Sequence, residues 1–256
     1  MGKTWVDELF VSGLYRKLWT KGGELDIGSE RTSQEVDSIL SILQPSAGAH
    51  ILDWCGGYGR HAIELARRGF RVTLLDYTPL HLDEAREYAK RHEIRLSLVQ
   101  ADFRSTPKEI QADYAINLFS SGIGYFGEEE DVKALRSLYE SLKSEARIII
   151  ETMNLNWLFR NFQPRSWRVS DDNTLYLLEE RGLNFATGKL ECQNIVLGLD
   201  GKRHEFHTTH FVYSAEDLCR ILAFSGFKAL KIFGGLDRRE QVGFRSPRLV
   251  IVAEKS

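Results

Sequence analysis

An α/β fold with a mostly parallel sheet and one late antiparallel strand is predicted by three observations. From residue 50 to 154, short apolar runs alternate with amphipathic stretches, the rhythm of strands joined by helices. The first three runs each close with an acid, Asp53, Asp76 and Asp102, which gathers the carboxylates on one rim of the sheet, where open α/β folds bind ligands. The last run, Arg248 to Ala253, follows a loop with no room for a crossover helix and must pair antiparallel.

Residues 1–45 precede the first strand. Leu9, Phe10, Leu14, Leu18 and Trp19 recur at helical spacing, Gly22-Gly23 breaks the pattern, and Ser33 to Leu43 forms a second amphipathic helix ended by Pro45. This pair of helices is expected to act as a lid. Residues 50–62, His-Ile-Leu-Asp-Trp-Cys-Gly-Gly-Tyr-Gly-Arg-His-Ala, read as strand, tight loop and helix. Gly56, Gly57 and Gly59 let the backbone turn and let a ligand approach without meeting a Cβ, while free N–H groups at the helix start favour acceptor atoms. The helix Ala62 to Arg68 ends at Gly69. Arg71 to Leu75 is the second strand, and Asp76 at its end is suited to accept two hydrogen bonds from adjacent ribose hydroxyls, with Tyr77 placed beside a base. Pro79 opens a helix to His92, and Arg95 to Val99 is the third strand, followed by Gln100-Ala101-Asp102-Phe103.

The fourth strand, Ala112 to Phe119, runs into Ser120-Ser121-Gly122-Ile123-Gly124-Tyr125-Phe126-Gly127; a helix over Glu128 to Lys143 and a fifth strand over Ala146 to Met153 follow. The rhythm then breaks. Leu175 to Phe185, Lys189 to Leu199 and Lys202 to Tyr213 are strand-like runs separated by Thr187-Gly188 and by the hairpin signal Asp200-Gly201, which reads as an inserted antiparallel cap. Ser214-Ala-Glu-Asp217 is a capping box that opens a helix to Phe224, and Lys228 to Phe233 is the next strand. The expected organisation is a lid over 1–45, a core over 46–154 and 214–256, and a cap over 155–213 for the acceptor.

Two ligands compete for the glycine loop. Gly57-Tyr58-Gly59-Arg60-His61-Ala62 matches G-x-G-x-x-G/A, with Asp76 about 20 residues on, the pattern of an NAD-linked oxidoreductase. That match leaves out Asp53. An acid at the strand's end followed by small residues at 55, 57 and 59 resembles the D-x-G-x-G-x-G loop of class I S-adenosylmethionine-dependent methyltransferases, with Cys55 in place of the first glycine. The resemblance implies a Rossmann-like seven-stranded methyltransferase sheet in which Asp53 faces the cofactor's ammonium group and Cys55, Gly56, Gly57 and Gly59 wrap its methionine end. It further implies that Asp76 and Tyr77 meet the nucleoside, that Ala101, Asp102 and Phe103 meet the adenine, and that Leu118 lines the same site. Tyr15, Trp19 and Arg31 are expected to reach the cofactor from the lid. The turn after the fourth strand also resembles that of bacterial small-molecule methyltransferases acting on amino sugars and glycine-type amines, with one extra residue before Gly124-Tyr125.

Composition sets the remaining bounds. A net charge of −2 gives no general attraction for phosphate backbones, so a small-molecule acceptor is favoured over nucleic acid. No apolar run reaches the ~18 residues of a membrane span, and Cys55, Cys192 and Cys219 lie far apart without zinc spacing, which points to a reducing cytoplasm, no membrane and no metal. Methyl transfer needs a base only when the nucleophile arrives protonated. Tyr125, His207 and His210 are the catalytic candidates; strand alternation puts His207 on one face and His204 with His210 on the other. Arg168 and Arg245 are candidates to hold an acceptor carboxylate or phosphate. A protein that binds S-adenosylmethionine without transferring its methyl group would need the same loop and acids.

Overall fold

The computed structural model describes residues 4–20, 25–237 and 240–256. Gly22-Gly23 lie outside the described residues. Among the described residues, eleven strands form two sheets. The larger holds β1 (His50–Trp54), β2 (Arg71–Asp76), β3 (Ser97–Gln100), β4 (Ala112–Asn117), β5 (Leu142–Met153), β10 (Phe227–Phe233) and β11 (Arg248–Lys255) in the order β10-β11-β5-β4-β1-β2-β3. β1 to β5 are parallel, and β11 pairs antiparallel with both β5 and β10, as its short connection requires.

Alternation along these strands divides the core in two. Ile51, Leu74, Ile116, Ile149 and Val250 face α1 (Glu30–Leu43), α2 (Arg60–Arg67) and α3 (Pro79–Arg91). Their neighbours Leu52, Leu75, Ala115, Ile148 and Ile251 face α4 (Glu128–Glu140) and α6 (Ala215–Phe224). Doubly covered strands need the near-continuous apolar runs seen here. The Ser214–Asp217 capping box opens α6 with both reciprocal bonds formed.

The second sheet, β6 (Arg165–Val169), β7 (Leu175–Leu183), β8 (Lys189–Gly198) and β9 (Arg203–Phe211), is an antiparallel meander inserted between β5 and α6. Two of its features go beyond the sequence reading. The edge strand β6 carries a charge-interrupted sequence with no apolar alternation, and the seven-residue helix α5 (Leu155–Asn161) is capped by Asn154. α4 stops at Glu140, short of the expected Lys143, and β5 begins at Leu142, with Glu145 in the left-handed region kinking its start.

The first segment also departs from expectation. It contains two wide π-type turns, Asp7–Val11 and Arg16–Thr20, broken at Gly13, whose φ is +76°. Leu9 and Leu18 pack against Leu177, Val196 and Phe206 of the inserted sheet, forming a satellite core apart from the main one. Arg16 anchors the segment from the other side, pairing with Asp26 at 2.7 Å and with Glu84 of α3 at 2.6 Å.

Candidate functional site

The carboxyl ends of β1 to β4 open into a cavity of about 870 Å³, roofed by residues 4–15. That volume is in the range of small-molecule and cofactor sites. The loop after β1 turns by placing Cys55 (φ +61°), Gly57 (φ +59°) and Gly59 (φ +78°) in the left-handed region. Cys55 therefore adopts the backbone of the glycine it stands in for, at a cost of order 1 kcal/mol. Gly56 has no room for a side chain, since a Cβ would stand 2.5 Å from Asp53 Cγ and from Leu74.

Two acids fix this loop. Asp53 Oδ2 accepts the Ala62 N–H at 3.1 Å, and Asp76 accepts the N–H groups of Gly57 at 2.8 Å and Thr78 at 2.9 Å. Burial pushes the Asp53 carboxyl up to about 7, opposed by the Ala62 N–H and Arg60 and reinforced by Asp76. Burial, with Asp76, Asp53 and Asp102 around it, pushes the Cys55 thiol well up, so it stays a neutral packing group. Asp102 differs. Burial works to raise its carboxyl, but hydrogen bonds from the Arg104 guanidinium and backbone hold it below the usual range.

His81 lines the cavity 3.5 Å from Asp76 Oδ1, with both ring nitrogens buried and without a hydrogen-bond partner. Carboxylates at the ends of three strands, an imidazole with unused nitrogens and a glycine loop open to approach form a donor set suited to an aminoacyl nucleoside. The residues present thus fit S-adenosylmethionine.

Beyond β4 the chain makes an uncommon turn. Phe119 and Ser120 are both left-handed, at φ +62° and +58°, held by Glu151, whose side chain accepts the Phe119 N–H at 3.1 Å and whose carbonyl accepts the Ser120 N–H at 3.0 Å. This ends β4 at Asn117, before the expected Phe119. Asp131, fully buried in α4, accepts the Gly124 N–H at 3.0 Å and the Tyr213 hydroxyl. Burial pushes the Asp131 carboxyl up to about 6 despite these bonds. Phe211 of β9 donates its N–H to Gly124 at 2.7 Å. The turn, α4 and the inserted sheet are thereby locked together around Tyr125.

Of the residues expected at the site, Tyr15, Asp53, Cys55, Gly56, Gly57, Asp76, Tyr77, Asp102, Phe103, Leu118 and Tyr125 line the cavity. Gly59 lies behind it, its absent Cβ leaving room for Leu74. Ala101 gives its N–H to the Asp76 carbonyl at 3.1 Å and is not part of the lining. Trp19 stacks on Tyr15 at 5.2 Å, one layer back. Arg31 is half-exposed on α1, paired with Glu35 at 3.0 Å, because helical spacing turns it toward that carboxylate rather than the cavity. His207 is exposed on the outer face of β9, and His204, on the opposite face, joins the cavity wall. His210 shares the face of His204 and meets the Tyr125 ring edge-on at 4.9 Å. Arg245 is not part of the cavity lining.

The sequence reading missed Tyr58, Arg60, His61, His81 and Phe119 in the lining. Tyr58, Arg60 and His61 occupied wildcard positions of the glycine motif, so spacing carried no sign of them. Arg60 and His61 both reach Glu35 of α1. Burial works to raise Glu35, but the His61 hydrogen bond and the Arg60 charge bring it down to about 2. Burial and Arg60 push His61 down, so a neutral ring donates its Nε2–H to the carboxylate.

Comparisons with known proteins agree with this geometry. A family described as "Methyltransferase domain" matches residues 51–145, which hold the loop and all three acids. The glycine/sarcosine N-methyltransferase of Aphanothece halophytica is 27% identical over 224 residues, 84% of this chain and 79% of the relative. The CcbJ methyltransferase from Streptomyces caelestis has the same fold, with a TM-score of 0.79 at 19% identity over 99% of this chain and 98% of that one. The sugar N-methyltransferase KedS8 from Streptoalloteichus sp. superposes with a TM-score of 0.65 at 16% identity, over 98% of this chain and 93% of that one. β11, antiparallel between β5 and β10, and the placement of Asp53 against the loop leave the NAD-linked reading of Gly57–Ala62 without support. Residues 51–145 are thus a methyltransferase domain, carried on the fold of the class I S-adenosylmethionine-dependent methyltransferases.

Proposed function

We propose that this chain transfers a methyl group to the nitrogen of a small-molecule amine. The observation that carries this is the division of the cavity: Asp53, Asp76, Asp102 and the glycine loop on one side, Tyr15, Phe119 and Tyr125 on the other. Nitrogen is favoured over oxygen by the glycine/sarcosine N-methyltransferase relative and the sugar N-methyltransferase neighbour, and by the weakness of the available bases. Among the described residues no helix is long and apolar enough to cross a membrane; the free Cys55, Cys192 and Cys219 favour the cytoplasm.

S-adenosylmethionine supplies a methyl group on a sulfonium, open to in-line displacement. Asp53, once ionised, would hold the ammonium end, and Asp76 with His81 would take the ribose hydroxyls. Tyr77 and Phe103 would border the base, and Asp102, a carboxylate kept ionised by Arg104, would accept from its amino group. On the other side Tyr125 and Phe119 would shape the space in which the amine lone pair is held toward the methyl group. Burial and Arg248 push His210 down to about 4, and burial pushes the Tyr125 phenol well up. Neither is a strong base at neutral pH. The amine must arrive neutral, and the proton freed from nitrogen passes to water.

Residues 1–45 act in this reading as a lid and 155–213 as the acceptor cap. The test begins with calorimetric titration of S-adenosylmethionine, S-adenosylhomocysteine and NAD. Binding of the first two, followed by methyl transfer to amines in a mixed amine and alcohol panel, supports the proposal. Binding of NAD alone, or transfer to hydroxyl oxygen only, sinks it; cofactor binding without transfer to any acceptor would favour a non-methylating role.

A further inference from the structure

Three guanidinium groups from distant parts of the chain surround Tyr15 on the acceptor side of the cavity: Arg60 of α2, which lines it, and Arg168 of β6 and Arg248 of β11, which stand behind. All three act electrostatically on the Tyr15 hydroxyl. Arg60 and Arg248 lie 4.6 and 5.4 Å from the Phe119 ring centre, and Arg168 lies 5.3 Å from that of Trp19. Each has a buried nitrogen without a hydrogen-bond partner, Arg60 Nη2, Arg168 Nε and Arg248 Nη2, and the neighbouring His210 has one at Nε2.

The charges around this cluster do not balance. Arg60 is paired with Glu35 and Arg248 with Glu151, but Arg168 has no carboxylate partner among the described residues. Unused guanidinium donors sealed from water are costly to keep unless something meets them. Arg104, at the opposite end of the cavity, is already engaged by Asp102 at 2.6 Å and Glu130 at 2.8 Å, so it does not compete for an anion. Tyr15, Arg60 and Phe119 line the cavity itself, so the cluster is reached from the side where the acceptor enters.

We propose that the acceptor amine also carries a carboxylate, which Arg60, Arg168 and Arg248 hold around Tyr15 while its nitrogen faces Tyr125. This rests on the methyltransferase reading above and adds the substrate class, an amino acid or other amine-bearing carboxylic acid. A planar two-oxygen group suits guanidinium donors, which bind such groups in a fork that an ammonium or hydroxyl cannot reproduce. Arg168 is the informative position. Its guanidinium makes no hydrogen bond or ion pair within the described residues, so its removal subtracts ligand contact and breaks no internal contact but its stacking over Trp19.

The test uses the full chain loaded with S-adenosylhomocysteine. Thermal unfolding is followed in sodium acetate and in sodium chloride at equal ionic strength, for the unaltered protein, Arg168→Ala and Arg168→Lys. Acetate is expected to raise the unfolding temperature of the unaltered protein above that in chloride, with the effect lost in Arg168→Ala and partly kept in Arg168→Lys. Methyl transfer to matched amino acids and their amides should favour the acids by about ten- to a hundredfold in kcat/KM, and Arg168→Ala should erase that preference through KM. Equal stabilisation by the two salts, or an acetate effect that survives in Arg168→Ala, overturns the proposal. Calorimetric binding of S-adenosylhomocysteine by all three proteins shows that they are folded and that the cofactor reading stands; its failure in the unaltered protein would overturn that reading instead.

Discussion

Asp76 carries two tasks at once, since the oxygens that hold the Gly57 and Thr78 N–H groups are also those proposed to meet the ribose. Asp76→Ala is expected to weaken S-adenosylmethionine binding by roughly 1.5–3 kcal/mol, the loss of charge-assisted hydrogen bonds. Unchanged affinity in calorimetry would remove the ribose assignment. Asp53 gives a pH signature. Its folded-state carboxyl is raised to about 7, so below that pH it is protonated and must lose the proton to face an ammonium group. Cofactor binding should release a proton near pH 7 and weaken as pH falls; titrations in buffers of different ionisation enthalpy that show no such release would contradict the assignment. The catalytic candidates make a complementary prediction. With His210 near 4 and Tyr125 protonated, the rate should rise with pH along the acceptor amine's own pKa, and changing the acceptor should move the profile. The three acids were legible because each closes an apolar run. Arg60, His81 and Phe119 were not, because their place in the wall depends on which helix packs where, and no local spacing encodes that.

Single close contacts decide how the elements join. A Cβ at Gly124 would stand 2.3 Å from the Phe211 carbonyl, in a backbone with φ +87°. Gly124→Ala should therefore push β9 away from the Tyr125 turn and reduce methyl transfer at least ~10-fold, while the glycine loop keeps its cofactor affinity. Equal losses in binding and turnover would show that the turn serves the cofactor as well. The roof is held differently, by the small cluster of Leu9, Leu18, Leu177, Val196 and Phe206. Phe206→Ala, removing a buried ring worth ~3 kcal/mol, should raise amide exchange across residues 4–19 and raise the cofactor KM, leaving exchange in β1 and β4 unchanged. Because the inserted sheet supports the roof, excising residues 157–212 would disturb cofactor binding as well as transfer, a coupling that the sequence concealed. The parallel strands and the Asp200-Gly201 hairpin were readable from period and turn chemistry. The π-type turns were not, since Leu9, Phe10 and Leu14 fit an ordinary helical stripe and no local spacing marks the packing of Leu9 and Leu18 on Leu177, Val196 and Phe206.

The molecule as a whole should respond to pH through its buried acids. Asp53 and Asp131, raised to about 7 and 6, stabilise the fold most below their unfolded values and lose that contribution as pH rises through the folded ones. His210, lowered to about 4, acts in the opposite sense, favouring the fold above its ordinary value and losing that as pH falls toward 4. Without cofactor, stability set by the acids should decline between about pH 4 and 7; S-adenosylmethionine at about 100 times its Kd should add ~2.7 kcal/mol. The topology was readable as a whole because antiparallel closure follows from a connection too short to cross over. It also dictates the order of events at birth. β11 lies between β5 and β10 and buries Leu249, Val250, Ile251, Val252 and Ala253. Until residues 248–255 have left the ribosome, the nascent sheet lacks the strand next to its outermost one, which leaves β10 undocked and a bare edge on β5. That edge is open to pairing with a neighbouring chain, so translation past this point, and any chaperone that shields it beforehand, governs how much of the polypeptide reaches its native form.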